Sequence, residues 1–524
     1  MGSAGVLHQG REFVRGLRTL LRDPLTAEQA RASFARDLAR RDDRLLELLD
    51  TSVWPYQASP YRQLLANAGL DAPAVAELVR EEGIDGALRV LRDAGVYVAY
   101  EEFHGTVAAR RGSATFQFAP DMFFNPGIRA EYTTSTGASR SVGTTAPVSF
   151  SHVRALATNT FVTGLLWGLI DIPHLVWFPA LPASSGLHAT LIWSMIDGSV
   201  ERWFSLTPPA GRGVAGHKRL VNLALPLAAM GTGVRLPRPQ LTTSPEPVLD
   251  WCRDALARRG RAHVASYPTS IALLADLALA RGVSLDGLVV VMGGEPLTPA
   301  KLDRVHAAGI TAVNSYGSTH IGLAGSACPG CDPEEVHVYL NEFAVITRPR
   351  SRADGVGVDA YCWTNLSGVA PLVALNLEND DYGILLDDGP ACGCELERLG
   401  ARTRLRGIRG MSKIVAGGTT VPGEEFERLA DQLLPERFGG TGTHYQFAER
   451  DGGRGGIVLR VDPALGPIDE AAVVDLIRAR LGGSEAGRLA TLVWATANDL
   501  VVQRTVPVRT RSGKVLPFDS TSQS

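Results

Sequence analysis

Leu288-Val-Val-Val-Met292-Gly-Gly-Glu-Pro296, followed by Thr298-Pro299, Gly309 and Ile310-Thr-Ala-Val-Asn-Ser-Tyr-Gly-Ser-Thr-His320, decides the fold. An apolar run without polar alternation marks a strand covered on both faces, as in a parallel sheet. Glycine and proline end it. Thr298 is placed to cap a helix with Pro299 in its first turn, and Gly309 lies just past the helix end. The apolar run over 310–313 then leads straight into polar residues. This order makes a βαβ unit whose two loops, Gly293-Gly-Glu-Pro296 and Asn314-Ser-Tyr-Gly-Ser-Thr-His320, lie at the carboxyl ends of neighbouring strands, where open α/β sheets bind ligands.

Working outward, 271–280 reads as a helix feeding this unit. The front end is helical. Thr26-Ala-Glu-Gln29 has capping-box spacing and opens an amphipathic helix toward Asp50. Residues 60–69 form a short helix stopped by Gly69, helical patterns continue to Ala94, and Val96-Tyr-Val-Ala-Tyr100 is strand-like. Beyond the central unit, the basic, glycine-punctuated Arg406-Gly-Ile-Arg-Gly410 reads as a hinge or linker. A helix over 423–434, strands over 444–448 and 457–461, a helix over 469–481 and a strand over 489–494 then make one compact unit. The expected fold class is α/β: a large N-terminal domain with parallel-sheet subdomains over 1–406, and a small, mobile α+β C-terminal domain over 407–524.

At 524 residues the chain exceeds what one core serves. Its formal charge of -3 gives no general attraction to nucleic acid or an anionic membrane, and neither partner is expected. The longest apolar stretch, 161–181, is interrupted by Asp171, His174 and prolines, which is wrong for a membrane span. No secretory signal is visible in the first residues, so a cytoplasmic location is expected. Lysine is scarce: Lys218, Lys301, Lys413 and Lys514 stand among 52 basic residues, so a lysine inside a motif carries weight.

Two constellations carry chemistry. Tyr132-Thr-Thr-Ser-Thr-Gly-Ala-Ser-Arg140 gathers hydroxyls, a glycine turn and a cation, the donors that cradle phosphate oxygens. Cys328-Pro-Gly-Cys331 and the later Cys392-Gly-Cys394 are two thiolate pairs able to close a tetrahedral shell around structural zinc, with His337 as a substitute ligand. Cys252 and Cys362 read as ordinary core residues.

Four segments in order resemble the adenylate-forming enzymes, and within them the phenylacetate-CoA ligase branch. Thr133-Thr-Ser-Thr-Gly-Ala-Ser-Arg140 is similar to the family's T-S-G-S-T-G-x-P-K loop, and Gly293-Gly-Glu-Pro296 to its G-x-E-P turn. Asn314-Ser-Tyr-Gly-Ser-Thr319 resembles Y-G-x-T-E, and Arg511-Ser-Gly-Lys514 the terminal S-G-K. Ser59-Pro-Tyr-Arg62 with Gly69 is similar to an N-terminal helix of that branch.

The resemblance implies ATP with Mg2+, and a catalytic Lys514 that holds the substrate carboxylate and the α-phosphate. It implies nucleotide contacts from Thr133, Thr134, Ser135, Thr136, Gly137 and Arg140, from Gly294, Glu295 and Pro296, and from Asn314, Ser315, Tyr316, Gly317, Ser318, Thr319 and His320. Asp381, or Asp380 one register away, would bind the ribose, and Arg409 would assist. Some members of the branch also bind zinc at cysteines placed like Cys328, Cys331, Cys392 and Cys394. The loop departs from the pattern at Thr134, Ser139 and Arg140. His320 replaces a glutamate that helps hold the metal, and imidazole is a poor ligand for a hard cation. The implied activity is ATP-dependent activation of an aromatic carboxylic acid as acyl-AMP, with transfer to CoA or an amine, in bacterial secondary metabolism. Alternatives left open are an arylamine diazotase using nitrite and an inactive nucleotide-binding scaffold.

Overall fold

The structure, a computed structural model, describes the chain apart from residues 1–2, 136–144, 182, 198–199, 208–215, 243, 319–320, 352–355, 388, 412, 417–418, 450–456, 482–499, 511–513 and 520–524. One long sheet runs through the large body. Its twelve strands, numbered here in chain order, are β1 His174–Trp177, β2 Val200–Ser205, β3 Pro239–Leu241, β4 Ala262–Ser266, β5 Leu288–Met292, β6 Thr311–Ser318, β7 Gly322–Ser326, β8 Glu335–Val338, β9 Phe343–Ser351, β10 Gly357–Asn365, β11 Leu377–Leu386 and β12 Arg404–Gly410. In space they lie in the order β9-β10-β11-β12-β8-β7-β6-β5-β4-β1-β2-β3.

The half from β3 to β6 is parallel throughout, and the half from β6 to β9 is antiparallel. The run at 288–292 is indeed buried strand, joined to its neighbours by α3 Pro268–Ala280 and α4 Pro299–Ala307. The parallel order β3-β2-β1-β4-β5-β6 reverses direction between β1 and β4. That reversal opens a crevice at the carboxyl ends of those two strands. At the opposite end of the same pair, His174 and His263 are wholly buried, their Nδ1 atoms 3.0 Å apart beneath Trp193.

Two further helices frame the crevice: α1 Phe150–Leu166, capped by Ser149, and α2 Ser185–Asp197. The hairpin of Tyr132–Ser135 and Thr145–Val148 leads into α1. In the front end the capping box at Thr26 and Gln29 forms as expected, but the helix breaks at Arg40 and restarts as Arg41–Ser52. The strand-like 96–100 makes only a single bridge, Val98 to Leu377. Tyr100 instead opens a one-turn helix, because the Glu102 carboxylate accepts from the Ala99 amide and pairs with buried Arg111.

The segment Arg406-Gly-Ile-Arg-Gly410 is not a free linker. It lies in β12, where Arg404, Leu405 and Arg406 pair with β8, and β11 continues pairing to Gly410. Residues 406 and 407, the expected boundary, therefore fall inside a strand of the large sheet. The small body is a four-stranded sheet in the order Leu500–Arg504, Ile457–Val461, Tyr445–Glu449, Phe518–Asp519. Its core is built from Phe426, Tyr445, Phe447, Leu459, Ile477 and Phe518, so the helices Gly423–Arg428 and Glu470–Leu481 pack on it. The strand expected over 489–494 lies outside the described residues. Among the described residues no helix is long and apolar enough to cross a membrane.

Candidate active site

The crevice between β1 and β4 is closed by the residues that follow each strand. Phe178 and Tyr267 meet edge to face with ring centroids 4.7 Å apart, and the Ser185 hydroxyl at the start of α2 lies 3.3 Å from the Tyr267 hydroxyl. Next along the sheet is the Gly293-Gly-Glu-Pro296 turn. A side chain at Gly293 would come within 2.5 Å of Ser315 Oγ, and Gly294 has φ of 77°, so both positions require glycine. Ser315 Oγ donates to the Met292 carbonyl at 2.9 Å and ties the end of β5 to the middle of β6. The Gly293-Gly-Glu-Pro296 turn thus lies beside residues 314–318, but the latter, expected as a loop, continue strand β6 because they pair on with β7.

Lys514 is brought to this place from the small body. Its ammonium donates to the Gly294 carbonyl and stands 4.4 Å from the centre of the Tyr267 ring. The Thr510 hydroxyl accepts from the Lys514 amide at 3.0 Å, and the Thr510 amide donates to the Lys514 carbonyl at 2.8 Å. Burial pulls the ammonium below its ordinary pKa, and the Glu295 carboxylate opposes that pull. Loss of the lysine's charge therefore begins at lower pH than for a solvated lysine. Glu295 itself turns toward the start of α3, where its Oε2 accepts from the Thr269 amide at 3.0 Å.

On the other side of β6, the Tyr316 hydroxyl donates to Asp381 Oδ2 at 2.6 Å, and Asn379 Nδ2 donates to both, at 2.7 and 3.0 Å. Burial, reinforced by Asp381, holds the Tyr316 phenol well above its ordinary pKa, so it stays a donor. Asp381 is the carboxylate that faces Tyr316 and Asn379. Asp380 has φ of 71° and offers its backbone carbonyl to the Met411 amide at 2.6 Å. Arg409 pairs through its backbone with Tyr382 and reaches Glu334 at 3.5 Å.

Thr133 is exposed on the hairpin strand, and the backbones of Thr134 and Ser135 continue that strand. Thr136, Gly137, Arg140, Thr319 and His320 lie outside the described residues, as do the first three residues of the terminal motif, 511–513.

The two bodies are clasped a second time at α4. Lys301 Nζ lies 3.1 Å from Asp431 Oδ2 with both side chains nearly buried, and the Thr298 hydroxyl reaches the same oxygen at 3.5 Å. Asp431 lies in a single π-helical turn, Leu429–Leu433. Burial alone would lower the Lys301 pKa, but Asp431 and Glu295 outweigh it and raise it. Neither residue is recognisable from spacing, because the partners are brought together only by docking of the small body. Replacing Asp431 by asparagine leaves a buried, unpaired ammonium, a cost of about 3–5 kcal/mol. Separation of the bodies rehydrates Lys301 without unfolding either, so Asp431→Asn is expected to enlarge the radius of gyration in small-angle scattering. An unchanged radius contradicts the clasp.

Behind β6 and β7 the cysteine motifs converge. Cys328, His337, Cys392 and Cys394 offer ligand atoms all within 4.8 Å of one another. His337 Nε2 lies 3.4, 3.3 and 3.5 Å from the sulfurs of Cys331, Cys392 and Cys394. Its Nδ1 is 2.9 Å from the Ala401 carbonyl, which fixes the proton there and leaves the Nε2 lone pair for a metal. Cys331 sits 3.0 Å from Cys328 and is approached by Arg404 Nη1 at 3.4 Å. His337 therefore stands with Cys328, Cys392 and Cys394 in the group whose ligand atoms are mutually close, where spacing alone gave four cysteines, and Cys331 lies beside it. Three thiolates and one imidazole fit a closed tetrahedral metal site.

The sequence matches no protein-family model and no curated protein. Solved structures are similar in fold. 2-Hydroxyisobutyryl-CoA ligase in its postadenylation state with 2-HIB-AMP gives a TM-score of 0.53 at 14% identity, covering 95% of this chain and 90% of that one. O-succinylbenzoate coenzyme A synthetase from Bacillus subtilis with ATP and magnesium gives 0.44 at 15% identity over 74% and 69% of the two chains. ATP-bound MatB from Rhodopseudomonas palustris gives 0.44 at 13% over 91% of each. The first of these carries the comparison: the chain shares the two-body α/β fold of a CoA ligase, with Lys514 of its small body set against the strand ends of its large one.

Proposed function

We propose that the protein is an ATP-dependent, AMP-forming ligase that activates an aromatic carboxylic acid as its acyl-adenylate and passes the acyl group to CoA. The observation that carries this reading is the place of Lys514: a cation delivered by a separate body onto the turn after β5, beside the reversal point of the parallel sheet. Attack of a carboxylate on the α-phosphate builds negative charge on phosphoryl oxygens, and catalysis there consists of positioning and charge stabilisation. Lys514 supplies the charge. Asp381, held by Tyr316 and Asn379, binds the ribose hydroxyls in this reading, and the hydroxyl-rich segment after Ser135 takes the phosphates with Mg2+.

Cys328, His337, Cys392 and Cys394 hold zinc in this reading. With no open coordination position, the ion staples the loops behind the nucleotide site and takes no part in the chemistry. The division between the bodies is placed after Gly410, where pairing in the large sheet ends. The test is incubation with ATP, Mg2+ and a panel of aryl acids, with and without CoA. AMP, pyrophosphate and a CoA thioester identified by mass are expected. Pyrophosphate release that requires nitrite and an arylamine, or no release with any acid, overturns the reading.

A further inference from the structure

Four polar atoms around α2 are buried without a hydrogen-bond partner: Tyr132 Oη, His152 Nδ1, His188 Nε2 and Ser318 Oγ. They come from four elements: the hairpin, α1, α2 and the end of β6. The Tyr132 and His188 rings meet edge to face at 5.9 Å, and the charges of His152 and His188 would repel each other. The His152 ring approaches Gly322, which pairs with Ser318 across the β6–β7 turn. Native proteins rarely leave such atoms unpaired, and four in one place mark a position for the polar atoms of a ligand. Tyr132 packs against Phe13 and Phe150, and a hydroxyl is the only polar atom its side chain offers.

The cluster joins the active site along α2. Ser185 touches Tyr267, the ring under Lys514, and His188 is one turn further along the same face. Its groups are uncharged. Burial pushes His152 down to about 3 and His188 to about 4, so each neutral ring presents one donor and one acceptor nitrogen. The nearby Glu131 carboxylate is engaged by the Phe150 amide at 2.9 Å. An unsubstituted aryl ring placed here would leave all four atoms unpaired, whereas a hydroxyl or amino group can both donate and accept.

Resting on the reading of Lys514 as the group at the substrate carboxylate, we propose that Tyr132, His152, His188 and Ser318 bind uncharged hydroxyl or amino substituents on the ring of the acid, making the substrate class hydroxy- or amino-substituted aryl acids. Acid-dependent ATP–pyrophosphate exchange tests it with benzoate, 3- and 4-hydroxybenzoate and 3- and 4-aminobenzoate. For wild type, the best substituted acid is expected to exceed benzoate in kcat/KM by about 100-fold or more. Tyr132→Phe, which keeps the ring packing, and His188→Leu are each expected to shrink that ratio by about tenfold. Benzoate turned over as well as the substituted acids, or variants that lower both alike, overturn this inference while leaving adenylation intact. Exchange with no acid removes the adenylation reading and this one together.

Discussion

Lys514→Ala is expected to reduce acid-dependent ATP–pyrophosphate exchange by about 10^2–10^3-fold, the usual effect of deleting one positioned charge that acts on the transition state. ATP affinity should change little, because the amine touches the Gly294 carbonyl and the Tyr267 ring and makes none of the contacts expected for ribose or base. Lys514→Arg is expected to be nearly as impaired: the planar guanidinium is larger and cannot place a point charge on the same carbonyl. The loss should appear in kcat far more than in KM for ATP. Exchange within threefold of wild type in Lys514→Ala removes the lysine from the chemistry.

Much of this site was legible because its signals are local. Leu288-Val-Val-Val-Met292 has one sensible burial, and Thr298 and Pro299 announce a helix whatever surrounds them. The spacing of the two cysteine motifs marked the segments that converge around His337. His337 was less visible, since it joins the cysteines only when β8 pairs with β12 and brings it under the Ala401 carbonyl. Residues whose meaning is purely tertiary were not legible. Tyr267 is one aromatic among many until the reversal between β1 and β4 places it under Lys514.

Arg406-Gly-Ile-Arg-Gly410 misled for a physical reason. Basic residues and glycines compose linkers, but here Gly407, at φ of 62°, absorbs an irregularity in the β11–β12 ladder, and Arg404 is paired with Glu335 at 2.9 Å. Composition cannot separate a solvated linker from a charged strand whose partners lie far away in sequence.

The second large effect concerns the metal. Structural zinc sites contribute on the order of 10 kcal/mol to the segments they close. His337→Ala and Cys394→Ser are each expected to drop zinc from one ion per chain to a small fraction, measured by inductively coupled plasma mass spectrometry. Protease sensitivity should rise around 328–331 and 392–394. Cys331→Ser serves as the contrast: its sulfur is outside the group of four mutually close ligands, so zinc is expected to remain. Retention of metal in His337→Ala with loss in Cys331→Ser would return the site to four cysteines. Zinc-free wild type with unchanged stability would remove the site altogether.

Asp380 and Asp381 are adjacent in the chain but serve opposite ends of the molecule's working parts. Asp381 is fastened to Tyr316, while the carbonyl of Asp380 restrains Met411, the first residue beyond the large sheet. The intervening backbone holds a non-glycine residue in the left-handed region and has little slack to give. The turn that fixes Asp381 beside Tyr316 therefore also fixes the point where the chain leaves the large sheet.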